Sequence, residues 1–215
     1  MTTQLTLYNG ALRLLGQAEL AAVDEDREPR HVLDGWYEDK DGRRACLEHG
    51  LWNFAMRAVK LDYNSAIEPD FGLRRAFNIP SDYVHHHEIS SDEYFYSPLT
   101  DAEFKKEQGY FFADIDEIYV RYVSDDASYG KDMALWPESF IEMVEYYLAM
   151  KSAPRVNPDK TEDMTEGFKE QRTMARSKDA LQEGVKFYPE TGWQRSRRGR
   201  FGSRRDMGSR TNLTG

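Results

Sequence analysis

The sequence predicts an α+β fold, mainly an α-helical bundle of about four helices with a small antiparallel β insertion and an extended C-terminal arm. Apolar residues recur with helical spacing near both ends of residues 1–192, and between them, over about 51–123, apolar and polar residues alternate as in strands. The last 23 residues contain only four large apolar side chains, too few to build a core. We therefore expect one folded domain over residues 1–192 and an arm over residues 193–215.

Two helices are predicted before the β insertion. The first covers about residues 3–15, where apolar residues are spaced by three, four and three positions, and Gly16 is suited to a left-handed cap at its end. Pro29 follows a run of acidic residues, which is a favourable start for a second helix. Because the helical period continues without a break, we expect this helix to be long, over about residues 29–49.

The period changes from helical to alternating at about residue 51. Strand-like alternation begins there and returns over 76–79, 83–89 and 115–123, with a hairpin predicted through Gly109. The β-branched and aromatic content of the last segment favours a strand. We expect these segments to form one small antiparallel sheet.

Two further helices are predicted after the β insertion. Pro137 opens the first, over about residues 137–153, and its apolar residues cover most of the circumference, which is typical of a core helix. The second, over about residues 159–183, starts with a sequence that resembles a capping box. Its apolar positions are sparse. We expect it to expose one side or to complete its burial against a neighbouring subunit.

Charge divides the chain sharply. The last 23 residues carry seven arginines and one acid, a net charge of +6, whereas the preceding 192 residues hold 22 basic and 37 acidic side chains, a net charge of −15. An acidic body argues against ordinary nucleic-acid binding, which depends on neutralised phosphates. It suits a surface that DNA passes without sticking.

Several protein classes are disfavoured by composition. A lone cysteine, Cys46, excludes a disulfide framework and a cysteine-based zinc site. The start of the chain lacks the basic and apolar regions of a signal peptide, and no run of apolar residues approaches the length of a membrane span. Acid–base pairs, nucleophile elbows and phosphate-binding glycine loops are missing, so we expect a protein that is not an enzyme and needs no cofactor.

A series of short motifs follows the two N-terminal helices in a characteristic order. They are Trp52-Asn53-Phe54-Ala55 with Arg57, then Ile79-Pro80-Ser81-Asp82, then Ile118-Tyr119-Val120-Arg121-Tyr122-Val123, and finally Trp136-Pro137 with Phe140. This order, over nearly the whole chain, resembles the head-to-tail adaptors of short-tailed bacteriophages, the tail tubular protein A type.

The resemblance implies a structural protein of the virion. Adaptors of that family form a dodecameric ring below the portal protein. The other side of the ring receives the tail nozzle, a tail tubular protein B-like partner. DNA passes through the lumen without specific binding, and a tail fibre is a further candidate partner. The implied location is the head–tail junction of a virion assembled in the host cytoplasm, with no membrane contact.

The arginine-rich arm has three interpretations. As a portal anchor, its arginines would dock on carboxylates and its aromatic residues would fill pockets. As a nucleic-acid-binding segment, it would bind phosphates by counterion release. It could also be a solvated terminus. We favour the portal anchor, because the acidic body opposes DNA wrapping. The predicted portal-binding residues are Trp193, Arg195, Arg197, Arg198, Arg200, Phe201, Arg204, Arg205 and Arg210.

A second interface, with another subunit or with the tail, is predicted in the β insertion. Its aromatic residues are denser than a small sheet can bury; they are Tyr94, Phe95, Tyr96, Tyr110, Phe111 and Phe112. His85 and His87 share a face of a predicted strand and could in principle bind a metal, but no third ligand is identifiable by spacing. We therefore expect no metal site there.

Overall fold

The computed structural model describes residues 2–69 and 72–182, and within them the chain is α+β with five α-helices and two three-stranded antiparallel sheets. The helices are α1 Gln4–Leu15, α2 Glu28–Tyr37, α3 Gly42–Leu47, α4 Glu138–Val156 and α5 Thr161–Gln182. The strands are β1 Met56–Asp62, β2 Arg75–Asn78, β3 Tyr83–Ser90, β4 Phe104–Glu107, β5 Tyr110–Ala113 and β6 Glu117–Ser124. The prediction of mainly a four-helix bundle with one small sheet is therefore wrong.

The first helix has a defined cap at each end. The Thr3 hydroxyl accepts a hydrogen bond from the backbone N–H of Thr6, and the Thr6 hydroxyl accepts one from the backbone N–H of Thr3, which makes a capping box. At the other end Gly16 has φ of 70°, and its N–H donates to the carbonyl of Arg13. The predicted left-handed cap at Gly16 is confirmed.

The long second helix predicted over residues 29–49 is wrong, because the structure divides it into α2 and α3. Asp41 adopts φ of 46° between them, and its carboxylate accepts a hydrogen bond from the N–H of Arg44 to start α3. A Cβ atom on Gly42 would lie 2.7 Å from the carbonyl oxygen of Trp36. The two helices thus approach closely at a position that only glycine allows.

Two other predicted boundaries are corrected. The strand expected from residue 51 begins at Met56, since Asn53–Ala55 form a turn of 3₁₀ helix. The last helix begins at Thr161 rather than at 159, because Pro158–Lys160 also form a 3₁₀ turn.

The strands pair in two separate sheets. In the first the order is β1-β6-β3, and Met56 pairs with Val123 at one end of the β1–β6 ladder. In the second the order is β2-β5-β4. The hairpin predicted through Gly109 is confirmed: it joins β4 to β5, and both Gln108 and Gly109 have positive φ, as a type I′ turn requires.

The described residues contain two hydrophobic cores. The larger one surrounds α4 and includes α1, α3 and part of α5, and it reaches the first sheet at Val84 and Val123. The smaller one lies between the two sheets and includes Phe77, Phe111 and Tyr122. The β region, which lies in the chain between α3 and α4, therefore builds a core of its own. No helix in the described part of the chain is long and apolar enough to cross a membrane.

Candidate interaction surfaces

An aromatic cluster where the helices meet the first sheet contains the tryptophans of the motif series. The ring centroid of Phe140 lies 4.8 Å from that of Trp52 and 4.9 Å from that of Trp136. Phe54 lies 4.9 Å from the same ring. The indole N–H of Trp52 donates to the carbonyl of Leu47, which satisfies its polar atom inside the core. These side chains stabilise the fold and offer no surface to a partner.

Asn53, in the same motif, ties the C-terminal part of α5 to the turn before β1. Its backbone N–H donates to the carboxylate of Asp179 at 3.1 Å, and its Nδ2 donates to the carbonyl of Asp179 at 3.0 Å. Asp179 is buried, so these hydrogen bonds offset the cost of removing its charge from water.

Asp82, in the second motif, is the centre of a hydrogen-bond network at the junction of β3 and β6. Its carboxylate accepts hydrogen bonds from Arg57 at 2.8 Å, from the Tyr122 hydroxyl at 3.1 Å and from the Ser124 hydroxyl. Burial opposes the charge of this carboxylate, but the hydrogen bonds from Ser124 and Arg57 outweigh it and lower the pKa of Asp82. The motif residues therefore form a connected structural framework.

Residues 91–97, which we call the tyrosine loop, follow β3 and expose two stacked rings. Tyr94 is 68% exposed and Tyr96 is 73% exposed, and their ring centroids are 5.9 Å apart at an interplanar angle of 24°. Phe95 between them has φ of 58°, an unusual value for a bulky residue, and the guanidinium of Arg121 lies 4.4 Å from its ring centroid. The two tyrosines therefore stand in solvent while Phe95 packs on its own chain.

Asp92 holds the tyrosine loop in this shape. Its carboxylate accepts hydrogen bonds from the N–H groups of Ser97, Tyr96 and Tyr94 at 2.7, 3.0 and 3.1 Å. The hydroxyl of Ser90 donates to it as well, at 2.7 Å. The hydrogen bond from Tyr96 is the largest of several that lower the pKa of Asp92, so the carboxylate is charged at neutral pH. A loop ordered in advance loses little entropy when its tyrosines bind a partner.

The aromatic residues of β5 divide between its two faces. Phe111 is fully buried in the smaller core, so its predicted place at an interface is corrected: alternation along the strand turns it inward. Tyr110 and Phe112 lie on the opposite face, half-buried, with ring centroids 6.4 Å apart. They line a groove of about 520 Å³ together with Lys105.

A third surface, which the sequence did not predict, joins α4, α5 and the residues after α3. We call His49, Lys151, Arg172 and Arg176 the cationic face. His49 packs against Phe168 with ring centroids 5.5 Å apart, and the Arg172 guanidinium lies 5.9 Å from the same ring.

The cationic face continues through a second aromatic ring to α4. The ring of Tyr147 lies 5.7 Å from that of Phe168, and the Lys151 ammonium lies 5.6 Å from Tyr147. The cations therefore lie over the edge of the larger core, against two of its buried rings. Within the described residues, neither Lys151 nor the two arginines of the face form an ion pair. Burial and the charge of Arg172 lower the pKa of His49, as expected among cations.

A groove of about 340 Å³ borders the cationic face. Arg176 lines one side of it, and Leu51 and Trp52 line the other. Leu51 is 42% exposed at the mouth of this groove. The groove therefore offers apolar surface directly beside unpaired positive charge.

All of the predicted portal-binding residues lie outside the described residues. This applies to Trp193, Arg195, Arg197, Arg198, Arg200, Phe201, Arg204, Arg205 and Arg210. Their role in portal binding stays a prediction.

Two of the three consecutive histidines lie against other parts of the domain. The side chain of His85 lies near the backbone of Gly50, and burial lowers its pKa. His86 packs against Phe104, and its backbone N–H donates to the hydroxyl of Tyr83. Within residues 2–69 and 72–182 no three histidine, cysteine, aspartate or glutamate side chains cluster as metal ligands would.

One sequence signal could have found the cationic face. Arg172 and Arg176 follow Phe168 at intervals of four residues, which places all three on one side of a helix. No such signal connects them to His49 or Lys151, because those residues belong to other elements.

A scan of protein-family models found none that matches this chain, and a search of curated proteins found no match either.

Proposed function

We propose that this protein is a structural head-to-tail adaptor of a short-tailed bacteriophage, which forms a ring between the portal protein and the tail nozzle. The observation that carries the proposal is the ordered series of motifs from Trp52 to Phe140. Its residues lie far apart in the sequence, and many of them contact one another in the fold through the Phe140 cluster and the Asp82 network. The motif residues are therefore structural residues of this domain, as a resemblance in fold requires.

Charge and exposed surface support an assembly role. A body with a net charge of −15 repels DNA across a solvated gap, so a ring of such subunits would let a genome pass without holding it. The exposed tyrosine loop and the unpaired cationic face are surfaces for protein partners. Neither has the arrangement of acid, base and nucleophile that a catalytic site needs.

The arginine-rich arm is the proposed attachment to the portal. Seven arginines can each bind a carboxylate through two parallel hydrogen bonds, which a lysine cannot do. Each arm loses conformational entropy on binding, and repetition around a ring offsets that loss by avidity.

Deletion of residues 193–215 tests the proposal. We expect the truncated protein to fold, because both cores lie within residues 2–182, and to lose binding to portal rings from the same virion in a sedimentation assay. A full-length variant with the seven arginines changed to lysine is the matched control: it keeps the charge, and we expect it to bind at least tenfold more weakly than the wild type. Unimpaired binding by the truncated protein would refute the role of the arm.

The nucleic-acid alternative makes a different prediction for the same proteins. If the arm binds DNA, about seven phosphate contacts give a log–log slope of affinity against salt near −6, and the arginine-to-lysine variant binds DNA nearly as well as the wild type. Filter binding over a series of salt concentrations measures this slope. A steep slope together with no affinity for portal rings would favour the alternative.

A further inference from the structure

We propose that the tyrosine loop of one copy of this protein binds the cationic face and the adjoining groove of a second copy, and that this head-to-tail contact joins neighbouring subunits. This inference rests on the proposed function, because the contact would join neighbouring subunits of the proposed ring. Each copy carries both surfaces. Two copies joined by one contact therefore still have one free tyrosine loop and one free cationic face. A contact of this type closes into a ring or continues as a filament.

The two surfaces match in chemistry. The loop presents two exposed tyrosine rings beside the exposed carboxylate of Glu93. The cationic face presents the ammonium of Lys151 and the guanidinium groups of Arg172 and Arg176, which form no ion pair within the described residues, beside the exposed side chain of Leu51. Tyrosine rings bind cations through their faces and bury a large apolar area, and they are frequent hot spots of interfaces.

A loop cannot reach the cationic face of its own copy. His85, near the start of β3, lies near the backbone of Gly50, which itself lies against Arg176 of the face, and the tyrosine loop begins after the other end of the same strand. The five residue steps of strand from His85 to Ser90 span about 17 Å at roughly 3.3 Å per residue, and the loop begins beyond them. Because β3 is paired with β6 along its length, it cannot fold back. The partner of the loop is therefore another molecule.

Both surfaces are also organised before they meet. Asp92 fixes the loop through four hydrogen bonds, and the aromatic rings of Phe168 and Tyr147 support the cations. Little order has to be created on association, so a small contact can be specific.

Two double variants test the contact by complementation. The loop variant is Tyr94→Ser with Tyr96→Ser, and the face variant is Arg172→Glu with Arg176→Glu. The wild type should self-associate beyond a dimer in sedimentation velocity at low salt, and each variant alone should associate at least tenfold more weakly. An equimolar mixture should form a one-to-one dimer and nothing larger, because only one intact loop and one intact face remain in each pair.

The control is Lys40→Glu with Lys169→Glu, two exposed residues outside both surfaces, which changes the net charge by the same amount as the face variant; it should associate like the wild type. Should the face variant not fold, as judged by circular dichroism, Arg172→Gln with Arg176→Gln replaces it. A mixture that stays monomeric, a variant that associates like the wild type, or a wild type that is monomeric in the high micromolar range would overturn the contact. Portal binding by the same proteins reports separately on the proposed function, since the arm is intact in all of them.

Discussion

Glu145 on α4 occupies space that a glycine on α1 leaves open. A Cβ atom on Gly10 would overlap the carboxyl group of Glu145, so the glycine is required for this packing. Burial raises the pKa of Glu145 to about 7; Arg13 opposes this shift, and Glu138 and Glu142 add to it. The carboxyl group is therefore partly protonated near neutral pH.

A raised carboxyl pKa makes folding depend on pH in a defined direction. At a pH between 4.5, the ordinary pKa of a glutamate, and about 7, the folded protein holds a proton on Glu145 that the unfolded chain has released. The free energy of unfolding is therefore greatest below this pH window and falls as the pH rises through 7. Glu145→Gln cannot ionise. We expect it to be more stable than the wild type at pH 8 by roughly 1–3 kcal/mol and similar to it at pH 5, as measured by urea unfolding.

Glu138→Gln is the matched control for this experiment, because it removes an acid from the exposed part of the same helix. It should change the difference between pH 5 and pH 8 only slightly. If Glu145→Gln showed the same loss of stability with pH as the wild type, another group would be responsible.

At the scale of elements, the corner between α4 and α5 caps the end of α1. The side chain of Asn157 donates to the carbonyl of Leu15 at 2.8 Å, and the ammonium of Lys160 donates to the carbonyl of Leu14 at 2.8 Å. These carbonyls are among those that a helix leaves without internal partners. The positive charge of Lys160 also lies favourably at the negative end of the helix dipole.

Removal of the amide at this corner should loosen α1. We expect Asn157→Ala to lower the free energy of unfolding by about 1–2 kcal/mol, because a partly buried carbonyl loses its donor. The midpoint of urea unfolding measures the effect, and Asp159→Ala, at an exposed neighbouring position, should leave it nearly unchanged. If both substitutions changed the free energy of unfolding equally, the hydrogen bond from Asn157 to the end of α1 would contribute nothing to stability.

At the scale of the whole domain, Arg44 links the two cores. It lies on α3, and its guanidinium donates to the carboxylate of Asp125 after β6 and to the carbonyl of Tyr83 at the start of β3. Asp125 is buried, and the ammonium of Lys131, 4.0 Å away, is a weaker partner. The larger core thus contacts the first sheet through a charged group as well as through apolar packing.

Arg44→Met should destabilise the domain and weaken the coupling of its two cores. Leaving a buried carboxylate without its main partner costs about 2–4 kcal/mol. Hydrogen exchange should become faster in β3 and β6 than in α4. Arg13→Met is the control, because the Arg13–Glu19 ion pair is exposed and contributes little. Equal acceleration in all elements would mean that the domain unfolds as one unit.

Among the interaction surfaces, the sequence located the tyrosine loop but not its counterpart. Tyr94 and Tyr96 lie in a turn-rich segment with too many aromatic residues for a small sheet, and both are exposed. The same argument failed for Phe111, since one step along a strand decides between core and surface. The cationic face depends on three elements that meet only after folding, so no local pattern could show it.

Features that depend on neighbouring residues could be derived from the sequence. Helical spacing and a glycine suited to left-handed backbone specified α1 and its cap, and the Gly109 turn specified the β4–β5 hairpin. The charge division between body and arm is likewise a property of the sequence alone. The break at Asp41, the second sheet and the second core depended on the tertiary structure. Each arises from contacts between residues distant in the chain, whose packing energy outweighs the weak local preferences that periodicity reports.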